Sequence, residues 1–236
     1  MPHDIDDLPA SVTYFPIVGL AVGLTGGAAW WLATFLWSAP IAVIVSVAVT
    51  VWMTGAFHED ALADSIDGFG GGWDRAQILA IMKDSRVGSY ALIGVVLVVA
   101  AKLCALTTLS GTALSLTRAL VAGHVLGRWS SVVLMWKLPY VRPSDDAPRA
   151  SAGGAFTNGA TASRLASATI LSAAIVALAL GWRSAIPMIV TIIVTWLAGR
   201  YFAGRLGGIT GDALGAANQV VELSVYLALA SRPMWA

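Results

Sequence analysis

The chain has 236 residues, 58% hydrophobic and 11% charged, with a net charge of +1. A soluble domain carries about 25% charged residues, so an ordinary soluble fold is excluded, and the charge balance gives no reason to expect nucleic acid as a partner. Ten tryptophans suit a membrane–water interface. The expected class is all-α: a polytopic membrane helical bundle of about seven transmembrane helices, one domain over residues 1–236. One cysteine, Cys104, inside an apolar run, excludes a disulfide framework and a Cys-based metal site.

The chain opens "MPHDIDDLPAS", which lacks the basic segment of a signal peptide. Spanning a bilayer takes about 20 apolar residues. Spans are expected at roughly 14–37, 40–57, 90–109, 117–138, 165–181, 185–203 and 210–230. The first carries Gly19, Gly23 and Gly27 at four-residue spacing, read as a close helix–helix contact. With the 58–89 loop inside, nine Lys and Arg residues fall on the inner side and Arg118, Arg183 and Arg232 on the outer. That bias places the N-terminus in the cytoplasm and puts three polar segments on one face: 58–89, 139–164 and the region around Asp212.

After the second span comes "FHEDALADSIDGFGGGWDRAQILAIMKDSRVGSY", with six of the thirteen acidic residues between Glu59 and Asp84. Asp60, Asp64 and Asp67 are spaced i, i+4, i+7, so a helix puts them on one face. No Lys or Arg lies between residues 51 and 74 to neutralise them. A divalent cation would, and oxygen ligands with open positions suit Mg²⁺, which binds one or two carboxylates plus substrate phosphates. Glu59 is a further candidate ligand, and His58 an orienting or simply interfacial residue. The glycines of "GFGGG" permit a turn or close approach to phosphate. The amphipathic segment after them ends in Lys83-Asp84-Ser85-Arg86. Lys83 and Arg86 would grip phosphate oxygens, or serve only as inner-face anchors of the next span.

"HEDALADSIDG" followed by "IMKDSRVGSY" resembles the signature of the cobalamin synthase family, the adenosylcobinamide-GDP ribazoletransferases: H-x-D-G-L-A-D-x-x-D-G, then I-M-K-D-S-R-x-G. "YFPIVGLAVG" at 14–23, "LGRW" at 126–129, "LPYVR" at 138–142 and "GGITGDALGAANQVVEL" at 207–223 also resemble family segments, in the same order. Ala61 departs from the pattern, standing where the family usually has glycine. The resemblance implies a Mg²⁺-dependent transferase of the cell inner membrane. It would join adenosylcobinamide-GDP to α-ribazole 5′-phosphate (or α-ribazole), release GMP, and face the cytoplasm with its site.

On that resemblance Asp60, Asp64 and Asp67, with Glu59, become metal ligands; Lys83 and Arg86 hold phosphates; and Asp84 is a candidate base or further ligand. Asp212, at a glycine-flanked bend, is a second catalytic candidate. Arg128 and Arg142 are further phosphate candidates. His124 shares a helix face with Arg128, and Glu222 is an ionisable residue within a span that could pair with Arg128 or Lys102. Membrane lipid surrounds the bundle, a homo-oligomer is left open, and a wide cytoplasm-facing cavity is expected for the corrinoid. A CDP-alcohol phosphotransferase and a cation transporter are the competing readings.

Overall fold

A computed structural model describes residues 8–111, 116–141 and 152–231. Its helices are α1 Leu8–Ser11, α2 Phe15–Ala33, α3 Ala39–Met53, α4 Phe57–Gly71, α5 Arg75–Met82, α6 Ser89–Leu109, α7 Leu116–Lys137, α8 Ala152–Gly159, α9 Ala162–Leu180, α10 Ala185–Leu206 and α11 Gly211–Ala230. No strand occurs among the described residues, only one isolated parallel bridge between Tyr140 and Ile209. The all-α membrane bundle is as expected. Side chains such as Leu178 and Trp52, 88% and 84% exposed, point outward, which suits a surface solvated by lipid.

The helix ends follow local chemistry. Asp74 accepts from the Gln77 amide to start α5, and Thr161 and Thr210 do the same for α9 and α11. The expected second span, 40–57, is cut short. At Gly55 and Ala56 the backbone turns left-handed, with φ of +65° and +57°, and no right-handed helix continues through that. The chain bends 87° there between α3 and α4.

Five helical stretches are long and apolar enough to cross a membrane, or six if the bent α3–α4 pair counts as one. The seven expected are not reached by that count. One stretch, Ala162–Leu206, runs 45 residues, about twice a bilayer's thickness. It is interrupted at Gly181, where φ is +60°, which separates α9 from α10.

The molecule is built around α7, whose apolar window is 83% buried. The α2 glycines make this possible. A Cβ at Gly23 would lie 2.6 Å from the Val121 backbone, and one at Gly19 would meet the His124 carbonyl at 2.5 Å. The stripe Gly19, Gly23, Gly27 is thus the seat of α7, as the spacing predicts. One apolar cluster joins α6, the first half of α7, the end of α9 and the end of α11 through Leu106, Leu120, Val176 and Val225. A second joins α5, the end of α7, the start of α9, the end of α10 and the start of α11 through Ile78, Val132, Ala168, Leu206 and Ala213. The described parts of the polar segments meet at that second end. There the Val141 amide donates to Ile209 O at 2.8 Å and the Ile209 amide to Pro139 O at 2.9 Å, tying "LPYV" to "GGIT".

Candidate active site

α4 brings the acidic motif against α11. Gly215 allows the contact, because a Cβ there would overlap the Ala61 methyl. Asp212, in the first turn of α11, thereby joins the α4 aspartates. Asp64 registers the assembly. Its carboxyl is pushed up from 3.8 to about 6, first by burial and then by the charges of Asp60, Asp212 and Asp67. Four carboxylates therefore share one field, and no cation is among the causes of that shift. Asp60 is exposed and the other three are half-buried, so the cluster is open to a ligand from the surface.

Asp67 does more than add charge. Its Oδ2 accepts from the Gly88 amide at 2.6 Å and its Oδ1 from the Ala91 amide at 2.9 Å. Gly88 is the residue that caps α6, so a carboxylate 21 residues earlier satisfies that helix's free amides and complements its dipole. The segment Lys83–Val87 hangs between this latch and the end of α5. Within it Arg86 donates to both oxygens of Asp84, at 2.5 Å from Nη2, and Asp84 is held at about 2 by that contact. Behind the site, Arg205 donates to Gly72 O at 2.8 Å and lies against the Phe69 and Tyr201 rings. It thereby fixes the "GFGGG" turn.

A second polar cluster lies deeper. Lys102 donates to Glu222 Oε1 at 2.9 Å and to Gln219. His124 Nδ1 stands 3.2 Å from Glu222 Oε2. Tyr226 donates to Glu222 Oε1 at 3.0 Å, and Arg128 donates to the His124 carbonyl at 3.1 Å. All six residues are buried. Glu59 and His58 border a small cavity with His124, Arg128 and Asn218. Glu59 acts on Arg128 electrostatically and is not among the charges that act on Asp64. Expected as a metal ligand and a phosphate contact, Glu59 and Arg128 are placed with this cluster, because successive helix residues point about 100° apart. Arg142 lies outside the described residues.

A family model described as cobalamin-5-phosphate synthase matches residues 1–230. An adenosylcobinamide-GDP ribazoletransferase of Shewanella frigidimarina is 38% identical over 231 residues, covering 96% of this chain and 85% of that protein. One of Leptothrix cholodnii is 39% identical over 220 residues, covering 92% and 83%. The chain belongs to this cobalamin-5-phosphate synthase family. It is an enzyme, a transferase, and a multi-pass membrane protein. One of Ralstonia nicotianae with the same printed name is 38% identical over 226 residues, covering 95% and 85%. No solved structure matches.

The structure puts Asp60, Asp64, Asp67 and Asp212 in one electrostatic field and hangs Lys83, Asp84 and Arg86 on the Asp67 latch. Among the described residues, no three His, Cys, Asp or Glu side chains converge tightly enough to hold a metal by themselves. Asp60 and Asp64 are hard oxygen donors of the kind Mg²⁺ takes, one or two carboxylates beside water and phosphate oxygens. The wide chamber expected for the corrinoid does not match the two cavities described. The polar one offers ≈10 Å³ and the larger, ≈490 Å³, is apolar and lined by Pro40, Ile44 and Leu103. Arg205, Tyr226 and Gln219 were missed in the sequence; the only signal for the last two was their i±4 and i±3 spacing from Glu222.

Proposed function

We propose that the chain joins adenosylcobinamide-GDP to α-ribazole 5′-phosphate, or to α-ribazole, releasing GMP in a Mg²⁺-dependent transfer. The site would face the cytoplasm from the inner membrane. The carrying observation is the shared electrostatic field of Asp60, Asp64, Asp67 and Asp212, joined through Asp67 to the loop of Lys83 and Arg86. The printed names of the relatives support the substrates.

In the reaction, a ribose hydroxyl oxygen of the ribazole attacks the phosphorus on the cobinamide side of the diphosphate. A new P–O bond forms, the P–O bond to GMP breaks, and the hydroxyl proton passes to a carboxylate. One or two of Asp60, Asp64, Asp67 and Asp212 would hold the cation, with water and phosphate oxygens in its other positions. Mg²⁺, when bound, neutralises charge on the diphosphate and on the leaving phosphate. Lys83 and Arg86 take phosphate oxygens. For that Arg86 exchanges Asp84 for phosphate, at small cost because the Arg86 side chain is 87% exposed. The exchange frees Asp84, whose affinity for a proton rises once the guanidinium leaves. Asp84 is then the proton acceptor within the loop, and Asp212 the carboxylate that approaches from α11.

Enzyme in native membranes, given both substrates, releases GMP only with a divalent cation. Asp60→Asn and Asp64→Asn each lower the rate by about a hundredfold or more, the scale of losing charge stabilisation at a reacting phosphate. Normal turnover by both variants, or product from CDP-diacylglycerol in place of adenosylcobinamide-GDP, refutes the reading.

A further inference from the structure

Where α4 starts, at the foot of the acidic helix, three polar side chains line the small cavity with atoms that bond to nothing else in the protein. They are His124 Nε2, Glu59 Oε2 and both amide atoms of Asn218. His124 is 6% exposed and Asn218 1%, so bulk solvent does not satisfy them, and an unmet buried polar group is costly. They come from three helices: α4, α7 and α11.

The donor–acceptor inventory narrows what can sit among them. His124 Nδ1 stands 3.2 Å from Glu222 Oε2, so its hydrogen is turned there, and a ring carrying that one hydrogen presents Nε2 as an acceptor. Glu59 Oε2 is also an acceptor. Asn218 Oδ1 is a third acceptor, and an occupant with two hydrogens to give serves two of the three. The Asn218 amide and the Arg128 guanidinium supply N–H donors, so the occupant must accept as well. Charge narrows it further. Lys102 and Arg128 already balance Glu59 and Glu222, and an added ion would leave a net charge within the bundle, which is expensive. The space, ≈10 Å³ for the centre of a water-sized body, is that of about one molecule.

We propose that this cavity is a binding site for one water molecule. The water donates to His124 Nε2 and Glu59 Oε2 and accepts from the Asn218 amide and Arg128. It closes a hydrogen-bond circuit from the Lys102–Glu222 pair to the first turn of α4. The start of the acidic helix is thereby fastened to α7 and α11 one residue before Asp60. None of these atoms is given to substrate in the reaction above, so the site stands whatever the substrate is.

Two measurements test it. In a map of the protein in lipid nanodiscs that resolves other buried waters, a single density stands within hydrogen-bond distance of Nε2, Oε2 and the amide. No density there, or one at the short distances of a metal ion, overturns the proposal. In hydrogen–deuterium exchange, Asn218→Leu fills the space, and the amides of 57–67 exchange about tenfold faster, the worth of one lost buried hydrogen bond. If Asn218→Leu fails to fold, His124→Phe removes the acceptor and is read the same way. Unchanged exchange in the folded variant overturns the coupling to α4.

Discussion

Asp67 spends both carboxylate oxygens on the amides of Gly88 and Ala91. A Cβ at Gly88 would stand 2.6 Å from Asp67 Oδ1, so Gly88→Ala breaks the latch while leaving every charge in place. Loss of such a cap costs about 1–2 kcal/mol, and a lower melting temperature with reduced turnover is expected. In the double variant with Asp67→Asn the stability losses should fall short of additive, because both remove one contact. Asp64 carries a pH signature. Its folded value of about 6 exceeds its ordinary 3.8, so the folded state keeps a proton that the unfolded chain releases. Stability without metal therefore falls as pH rises through that interval. Thermal melts should be higher near pH 5 than near pH 7, Mg²⁺ should restore stability mainly at the higher pH, and Asp64→Asn should flatten the difference. At this scale the sequence was legible where spacing alone sets direction: i, i+4, i+7 placed three aspartates on one face. The partner of Asp67, 21 residues on, was not, because no local pattern encodes a contact between two helices.

Among the elements, α2 and α7 depend on small residues in register. Gly23→Leu would drive a side chain into the Val121 backbone. Overpacking of this kind costs about 1–3 kcal/mol when neighbours can yield, and more is expected here because the obstacle is main chain. Reduced folded yield in detergent, with loss of activity in proportion to folded protein, is the check. The glycine stripe was readable because four-residue spacing repeats along one helix. The end of α3 was not. The run 40–57 stays apolar through "WMTGAF", and hydropathy carries no mark of the left-handed Gly55 and Ala56 that turn the chain through 87°. The acidic helix reads as part of a loop between spans for the same reason: charge sets only an expected side of the membrane and carries no mark of its approach to α11.

Across the whole molecule, one ion pair links α6 to α11 inside the bundle. Lys102 and Glu222 are each 5% exposed at the side chain. Removing one partner strands the other, which costs about 3–5 kcal/mol. Lys102→Met should therefore unfold a large fraction of the enzyme, and Lys102→Met with Glu222→Gln should recover much of the loss, as read by melting temperature in nanodiscs. Both residues stood out in the sequence as charges within spans, and Lys102 had been named as a partner for Glu222. That His124 and Tyr226 complete the shell depended on how the helices turn about α7.

The Asp67 latch has a consequence for the order of binding. On the proposed function, one carboxylate serves both the acidic cluster that would take the cation and the frame of the segment that would grip phosphate, so whichever ligand arrives first orders the ground for the second. Cation and diphosphate should then show positive heterotropic cooperativity, each tightening the other's affinity by the same factor, and Gly88→Ala should uncouple them.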